Sequence, residues 1–141
     1  MSRQRSFRAA GVAAGLKSSG GLDVALVVND GPNDAAASVF TSNRCKANPV
    51  LWSERAIADG RLRAVVLNSG GANCYTGPEG FQLTHATAEK VAELGGLSAF
   101  DVLVCSTADR PMFDRDHMLA GVEAAQAALS PQARTTPRTR S

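Results

Sequence analysis

Two stretches of the chain end an apolar run abruptly in small polar residues, a setting in which backbone N–H groups and hydroxyls become available for chemistry. The first is Asn68-Ser69-Gly70-Gly71-Ala72-Asn73-Cys74-Tyr75-Thr76-Gly77, which follows the apolar residues 64–67. Its glycines would let N–H groups point at an anion. No Gly-Lys-Ser/Thr follows, so it is not a P-loop, and Leu67 stands where a nucleophile elbow around Ser69 needs its first glycine. The second is Val104-Cys105-Ser106-Thr107-Ala108-Asp109. A hydroxyl beside a backbone N–H at a strand end can form an oxyanion hole, where loss of one donor typically costs about 3 kcal/mol of transition-state stabilisation. On residues alone, each segment also reads as an ordinary turn or helix cap.

The usual catalytic sets are missing from the pattern. His85 falls beside Thr84 on the first long helical segment, and His117 stands three residues after Asp114 in the first turn of the next. Both read as solvent-facing. Asp114 and Asp116 read as first-turn acids that favour the helix dipole. No histidine is adjacent in sequence to Ser106 or Cys105. Cys45, Cys74 and Cys105 are odd in number, form no C-x-x-C, and have no histidine at ligand spacing. This argues against a metal site or a disulfide framework, and for free thiols in a reducing compartment that behave as small buried hydrophobes.

The elements that must position these residues follow from hydrophobic period. Residues 22–28 read as a strand ended by the turn cluster 29–34, with residues 36–41 as its hairpin partner. Ser53 is expected to cap a short helix ended by Gly60, and residues 61–68 form the clearest buried strand. From Gly80, the positions Phe81, Thr84, Ala88, Val91 and Ala92 recur at helical spacing until Gly95-Gly96. Residues 101–105 read as a further strand. Asp114 opens a second helix, with Met118, Leu119, Val122 and Leu129 on one stripe. The alternation of strands and helices gives an α/β or layered α+β class. Residues 130–141 carry no apolar pattern and are expected to be a disordered tail behind a domain of residues 1–129.

At 141 residues the chain has the length of one small domain. Only 5% of it is aromatic against 13 glycines, so the core must use Ala, Val and Leu in close approach and would be marginal alone. No run reaches the roughly 18–20 apolar residues of a membrane span, and residues 1–6 lead into no secretory apolar stretch. A cytoplasmic location with no membrane partner is expected. Residues 1–22 carry Arg3, Arg5, Arg8 and Lys17 without an acid, and residues 134–141 carry three arginines, which leaves the middle at −5. Basic residues at the two ends read as solvated tails, and no nucleic-acid partner is expected.

The motifs then resemble a family. Phe7-Arg8-Ala9-Ala10-Gly11-Val12-Ala13-Ala14-Gly15-Leu16-Lys17 is similar to the opening segment of the ornithine acetyltransferase (ArgJ) family, and Val39-Phe40-Thr41-Ser42-Asn43 with Asn48-Pro49-Val50 to its next one. Asn68 to Gly77 resembles the family's NSGNANACTG, with Gly71 for Asn and a shifted cysteine. Val104-Cys105-Ser106-Thr107 matches the start of V.STGVIG, and Met118-Leu119-Ala120-Gly121-Val122 suits the helix that follows. The match runs in order over about residues 6–129.

The resemblance implies a partial DmpA/ArgJ-like fold, strands covered by helices, and a cytoplasmic glutamate N-acetyltransferase of arginine biosynthesis. Family members move acetyl from N-acetylornithine to glutamate, with acetyl-CoA as a co-substrate in some and no other cofactor. They cleave themselves before a threonine that becomes the β chain's N-terminal nucleophile, and the implied assembly is of α2β2 type. The oxyanion-hole pair maps to Thr107 and Ala108, where Ala108 replaces the family glycine. If that glycine needs positive φ, the alanine is strained. Residues 109–114 depart from the family pattern as a local frame disturbance would make them. The chain is expected to stop before the cleavage site and to lack the nucleophile, so it should be inactive alone. The alternative is an inactive truncated fragment that serves only as a structural partner.

Overall fold

The computed structural model describes residues 7–130 apart from Arg110 and Met112. Four strands, β1 (Phe7–Val12), β2 (Val24–Asn29), β3 (Ala64–Asn68) and β4 (Val102–Ser106), form one sheet in the order β1-β2-β3-β4. The first two pairings are antiparallel and β3–β4 is parallel. A parallel pair needs a long crossover. Here it contains α2 (Gly77–Gly95), while α1 (Asn48–Ala56) precedes β3 and α3 (Arg115–Ala127) follows β4.

Alternation along the strands separates two unlike faces. Val24, Leu26 and Val28 pair with Asn68, Val66 and Ala64, and Val66 in turn opposes Val104. All are buried against Trp52, Leu83, Val91, Met118 and Val122 of the helices. The opposite face presents Phe7, Gly11, Ala25, Val27, Val65, Leu67 and Cys105, and none of these is buried. Gly121 lets α3 approach the sheet, since a Cβ there would stand 2.6 Å from the Ala14 methyl and 3.0 Å from Val24.

Several expectations are corrected. Residues 36–41 are not the hairpin partner of β2, because β1 and β3 already occupy both of its edges. The turn after β2 is built by asparagines: Asn29 Oδ1 accepts from Gly31 N at 2.9 Å and Asn33 Oδ1 from Ala35 N at 3.0 Å. The chain then touches Gly60 through Ala36 N and runs outward, leaving Val39 96% exposed. Ser53 does not cap α1, which starts at Asn48 with Pro49 in its first turn. Ser53 is buried mid-helix, and its hydroxyl both donates to Val104 O and accepts from Val104 N at 3.2 Å. The first long helix begins at Gly77 rather than Gly80 and ends at Gly95, followed by Gly96, whose φ of 64° is the left-handed cap expected there.

Asp114 caps α3 as expected, accepting from His117 N at 3.1 Å. Ser130, assigned to the tail, instead exchanges two backbone hydrogen bonds with Ala9. The rest of the expected tail, residues 131–141, lies outside the described residues. The cysteines are not buried hydrophobes either. Cys45 is exposed on the loop before α1, Cys105 is exposed on the uncovered sheet face, and Cys74 is half-buried.

Candidate functional site

The parallel register places Asn68 opposite Ser106 where β3 and β4 end together. Asn68 is buried, and both ends of its side-chain amide and its backbone carbonyl are engaged here. Its side-chain amide donates to Ser106 Oγ at 2.8 Å, its Oδ1 accepts from Gly71 N at 3.4 Å, and its carbonyl accepts from Thr107 N at 3.1 Å. One residue thus fixes the end of β4, the start of the glycine-rich loop and the backbone at Thr107.

That loop is held from below by a second buried polar residue. Asp23, at the start of β2, accepts from the backbone N–H groups of Ala14 (2.6 Å), Leu16 (2.8 Å) and Lys17 (3.0 Å), and its own carbonyl accepts from Ser69 N at 2.8 Å. Burial pushes the Asp23 carboxyl up, but the three N–H donors and Lys17 outweigh it and hold the group below the usual carboxylate range. Leu16, clamped in this way, fills the space beside Gly70: a Cβ on Gly70 would stand 2.2 Å from the Leu16 Cβ. Further along, Asn73 donates to Gly80 O (2.6 Å) and Thr84 Oγ1 (2.8 Å) and accepts from Asn48 and Thr76. Asn68, Asn73 and Thr76 are therefore spent on structure. The side chains of this segment hold its own turn together.

Above Asn68, a cavity of about 310 Å³ opens on the uncovered sheet face. Its walls are largely apolar, from Gly11, Leu22, Ala25, Leu67 and Cys105, with Asn68, Ser69, Ser106 and Thr107 at its polar end. Thr107 is exposed, and its backbone N–H is already committed to Asn68, so its hydroxyl is the hydrogen-bond donor it can offer a ligand. Ala108 follows at the surface with φ 147°, outside the regions an L-residue adopts without strain. Cys105 lines the cavity, and partial desolvation by the protein around it pushes the thiol up.

Among the described residues, no histidine lines this cavity. The His85 ring sits 4.8 Å from that of Trp52 and pairs with Glu89 at 3.4 Å. The His117 Nδ1 lies 2.8 Å from Asp114, and its ring rests against Gly15. Among the described residues, neither Ser106 nor Thr107 therefore has a histidine beside it. The structure brings the two strand-end motifs together at one place, and what it assembles is a pocket with a candidate hydroxyl donor and no activated nucleophile. Sequence reasoning missed Asp23 and Leu16. An acid beside an apolar strand marks the place, but its partners are backbone N–H groups that leave no pattern in the residues.

The chain is similar to proteins of known name. The chain is 58% identical over 127 residues to the arginine biosynthesis bifunctional protein ArgJ of Streptomyces coelicolor, covering 89% of this chain and 33% of that protein. It is likewise 58% identical over 125 residues to the protein of that name from Thermobifida fusca, covering 86% and 32%. The chain thus spans about a third of the length of the curated relatives it matches. Its fold superposes on ornithine acetyltransferase from Mycobacterium tuberculosis, a structure solved in complex with ornithine. The TM-score is 0.85 at 53% identity, covering 90% of this chain and 69% of that one. The ArgJ protein of Bacillus halodurans follows with a TM-score of 0.77 at 30% identity, covering 83% and 61%. No helix among the described residues is long and apolar enough to cross a membrane. With the sequence model of the ArgJ family matching residues 8–139, this chain belongs to the ArgJ family.

Proposed function

We propose that the chain supplies the α-chain-like portion of a cytoplasmic glutamate N-acetyltransferase, which moves acetyl from N-acetylornithine to glutamate. The observation that carries this reading is the placement of Thr107. It stands at the joined ends of β3 and β4, on the polar end of a pocket that opens on an otherwise apolar sheet face. In the proposed reaction, the N-terminal threonine of a β chain attacks the acetyl carbonyl, its own α-amino group taking the hydroxyl proton. The carbonyl oxygen becomes an oxyanion held by the Thr107 hydroxyl and the Ala108 N–H. Ornithine leaves with the proton, and the amine of glutamate then attacks the acetyl-threonine. The cycle needs no cofactor, and acetyl-CoA is a second acetyl donor for the same ester.

The uncovered face supports the need for a β chain. Phe7 and Leu22 are 61% and 67% exposed, and a second hollow of about 170 Å³ lies along the same sheet between Phe7, Val27 and Val65. A contiguous apolar sheet surface of this kind calls for a covering layer. An α2β2-type assembly built on it completes the pocket with the nucleophile and the groups that hold substrate.

The test is to purify the chain alone and together with the β-chain portion of a relative such as the Streptomyces coelicolor protein. Transfer from N-acetylornithine to glutamate is expected only in the second case, and turnover by the chain alone would overturn the reading. In the complemented enzyme, Thr107→Ala is expected to lower kcat about 10²–10³-fold, the loss of one oxyanion donor. A second reading, an inactive structural partner, is favoured by the φ of 147° at Ala108. It predicts assembly with the β chain and no turnover.

A further inference from the structure

β4 is the last strand of the sheet, and its two edges are held by different elements. Arg63 N donates to Asp101 O at 2.9 Å and Thr107 N to Asn68 O at 3.1 Å. Alternate positions from Asp101 to Thr107 therefore turn their backbone groups toward β3. Those of Val102 and Val104 face the other way, where no further strand lies among the described residues. Two neighbouring side chains of α1 take that strand's place. Trp52 Nε1 donates to Val102 O at 3.0 Å, and the Ser53 hydroxyl meets both Val104 O and Val104 N at 3.2 Å. All four residues are buried.

A serine inside a helix commonly turns its hydroxyl back on its own helix. That of Ser53 is spent on β4 instead. Among the described residues, it is the last fastening on the outer edge before Ser106 and Thr107. The same helix is tied at its start to the glycine-rich segment. Asn48 donates from its backbone to Asn73 O at 3.1 Å, and from its side chain to Thr76 Oγ1 at 2.9 Å and Gly77 O at 3.3 Å. A closed circuit results: Asn68 joins the two strand ends directly, and α1 joins the segment after β3 to the outer edge of β4.

We propose that Ser53 is a positioning residue: by holding Val104 from the outer edge, it sets where the Thr107 hydroxyl stands in the pocket. The proposal rests on the reading of Thr107 as an oxyanion donor. Such a donor must be held to about 0.5 Å, and the β3 ladder alone fastens β4 on one side only. With Ser53 in place the strand is gripped between Asn68 and α1, so its end neither slides outward nor rolls about the ladder. Without the hydroxyl, Val104 N and O lose their buried partner, and the strand end moves to find another. That movement reaches Thr107, three residues on, before it reaches the centre of the sheet. Ser53 touches no reacting group and acts through Val104.

Ser53→Ala and Ser53→Cys separate the hydroxyl from the space it fills, since a thiol occupies the site but bonds weakly. In the chain alone, hydrogen exchange at the Thr107 amide should be about 5–10-fold faster in both variants, the factor one hydrogen bond's net worth allows. The Val27 and Val65 amides, paired across β2 and β3, should keep the parent rate. The indole N–H resonance of Trp52, the sole tryptophan, should stay in place and show α1 still seated. In the enzyme complemented with a β chain, kcat should fall about 10-fold or more, with KM within about two-fold of the parent. Unchanged Thr107 exchange in Ser53→Ala would overturn the proposal, and so would parent-like kcat in the complemented variant. A Ser53→Cys chain that matches the parent would overturn it by showing that filled space suffices. Equal acceleration of every amide, or failure of both variants to fold, would make Ser53 a plain stability residue and overturn it too. If the complemented parent shows no turnover, the transferase reading falls, and the exchange rates still decide whether Ser53 positions Thr107.

Discussion

Asn68 and Ser106 face each other across the parallel β3–β4 pair, with the Asn68 amide donating to the Ser106 hydroxyl at 2.8 Å. Thr107 hangs from the same residue through its backbone N–H. The position of the candidate oxyanion donor is thus set by a buried side chain on a neighbouring strand, reached through strand pairing. A pocket built in this way can be rigid before any partner arrives.

Removing this hub should show in stability first. Asn68→Ala strips the acceptor from Gly71 N and the donor from Ser106, and is expected to destabilise the chain by about 1–3 kcal/mol. Ser106→Ala leaves one buried amide hydrogen without its acceptor and should cost about 1 kcal/mol. Urea titration of the two variants checks both. Values for both within about 0.5 kcal/mol of the parent, the range of plain surface substitutions, would show that the hub does not hold the strand ends.

Ala108 gives a prediction of the opposite sign. At φ 147° it occupies backbone space favourable to glycine, a strain of about 1–3 kcal/mol. Glycine brings back about 0.5–1 kcal/mol of unfolded-state entropy. Ala108→Gly is therefore expected to stabilise the chain by about 1 kcal/mol and, in the complemented enzyme, to raise kcat. A lower denaturation midpoint in Ala108→Gly would mean that the alanine is unstrained.

Much of this architecture was legible in the sequence, for identifiable reasons. Residues 64–67 and 102–105 are continuous apolar runs bounded by turn residues, and the alternation of helix and strand around them forces a crossover. Asp114 announced the third helix because capping is local chemistry. What failed was non-local. Residues 36–41 have the composition of a strand, but nothing in them reveals that both edges of β2 are already taken. Ser53 has the type of a cap, and only the closeness of Val104 makes it a buried clamp. The site was half legible: Thr107 could be placed by its position after a strand and by family resemblance. Asp23 could not, because its three partners are backbone N–H groups of a loop whose shape has no sequence signature.

Two glycines separate crowding from conformation. A Cβ on Gly70 would meet Leu16 Cβ at 2.2 Å and its backbone at 3.1 to 3.2 Å, in a place the Asp23 clamp prevents from moving. Gly70→Ala is expected to cost about 3 kcal/mol, the upper part of the range for overpacking. Gly77 has φ +62° with nothing within 4 Å of a new Cβ, so Gly77→Ala should cost only about 1 kcal/mol, the left-handed penalty. Thermal melts of both variants give the order directly. The reverse order would show that Leu16 yields freely and that the loop is not clamped.

The clamp itself is testable by pH. Because its three N–H donors outweigh burial, Asp23 titrates lower in the folded chain than in the unfolded one. The unfolded chain then binds more protons in the acidic range, so stability rises with pH across that window. The contribution is complete above about pH 5, and it fades as pH falls through the ordinary carboxylate value near 4 and the lower folded value. Asp30 and Asp34, held down by their arginine partners, add to the same acid limb, so the Asp23 share must be read as a difference. Asp23→Asn keeps the shape and removes the charge. At pH 7 it is expected to cost about 1.5–3 kcal/mol, the range for hydrogen bonds to a charged group. That gap should close steadily between about pH 5 and pH 2, where the parent's own carboxylate becomes protonated. Urea midpoints of parent and variant measured across this range decide the matter. A gap that stays constant down to the acid end would mean that the carboxylate's charge does not hold the loop, and that Leu16 and Gly70 are kept together by packing alone.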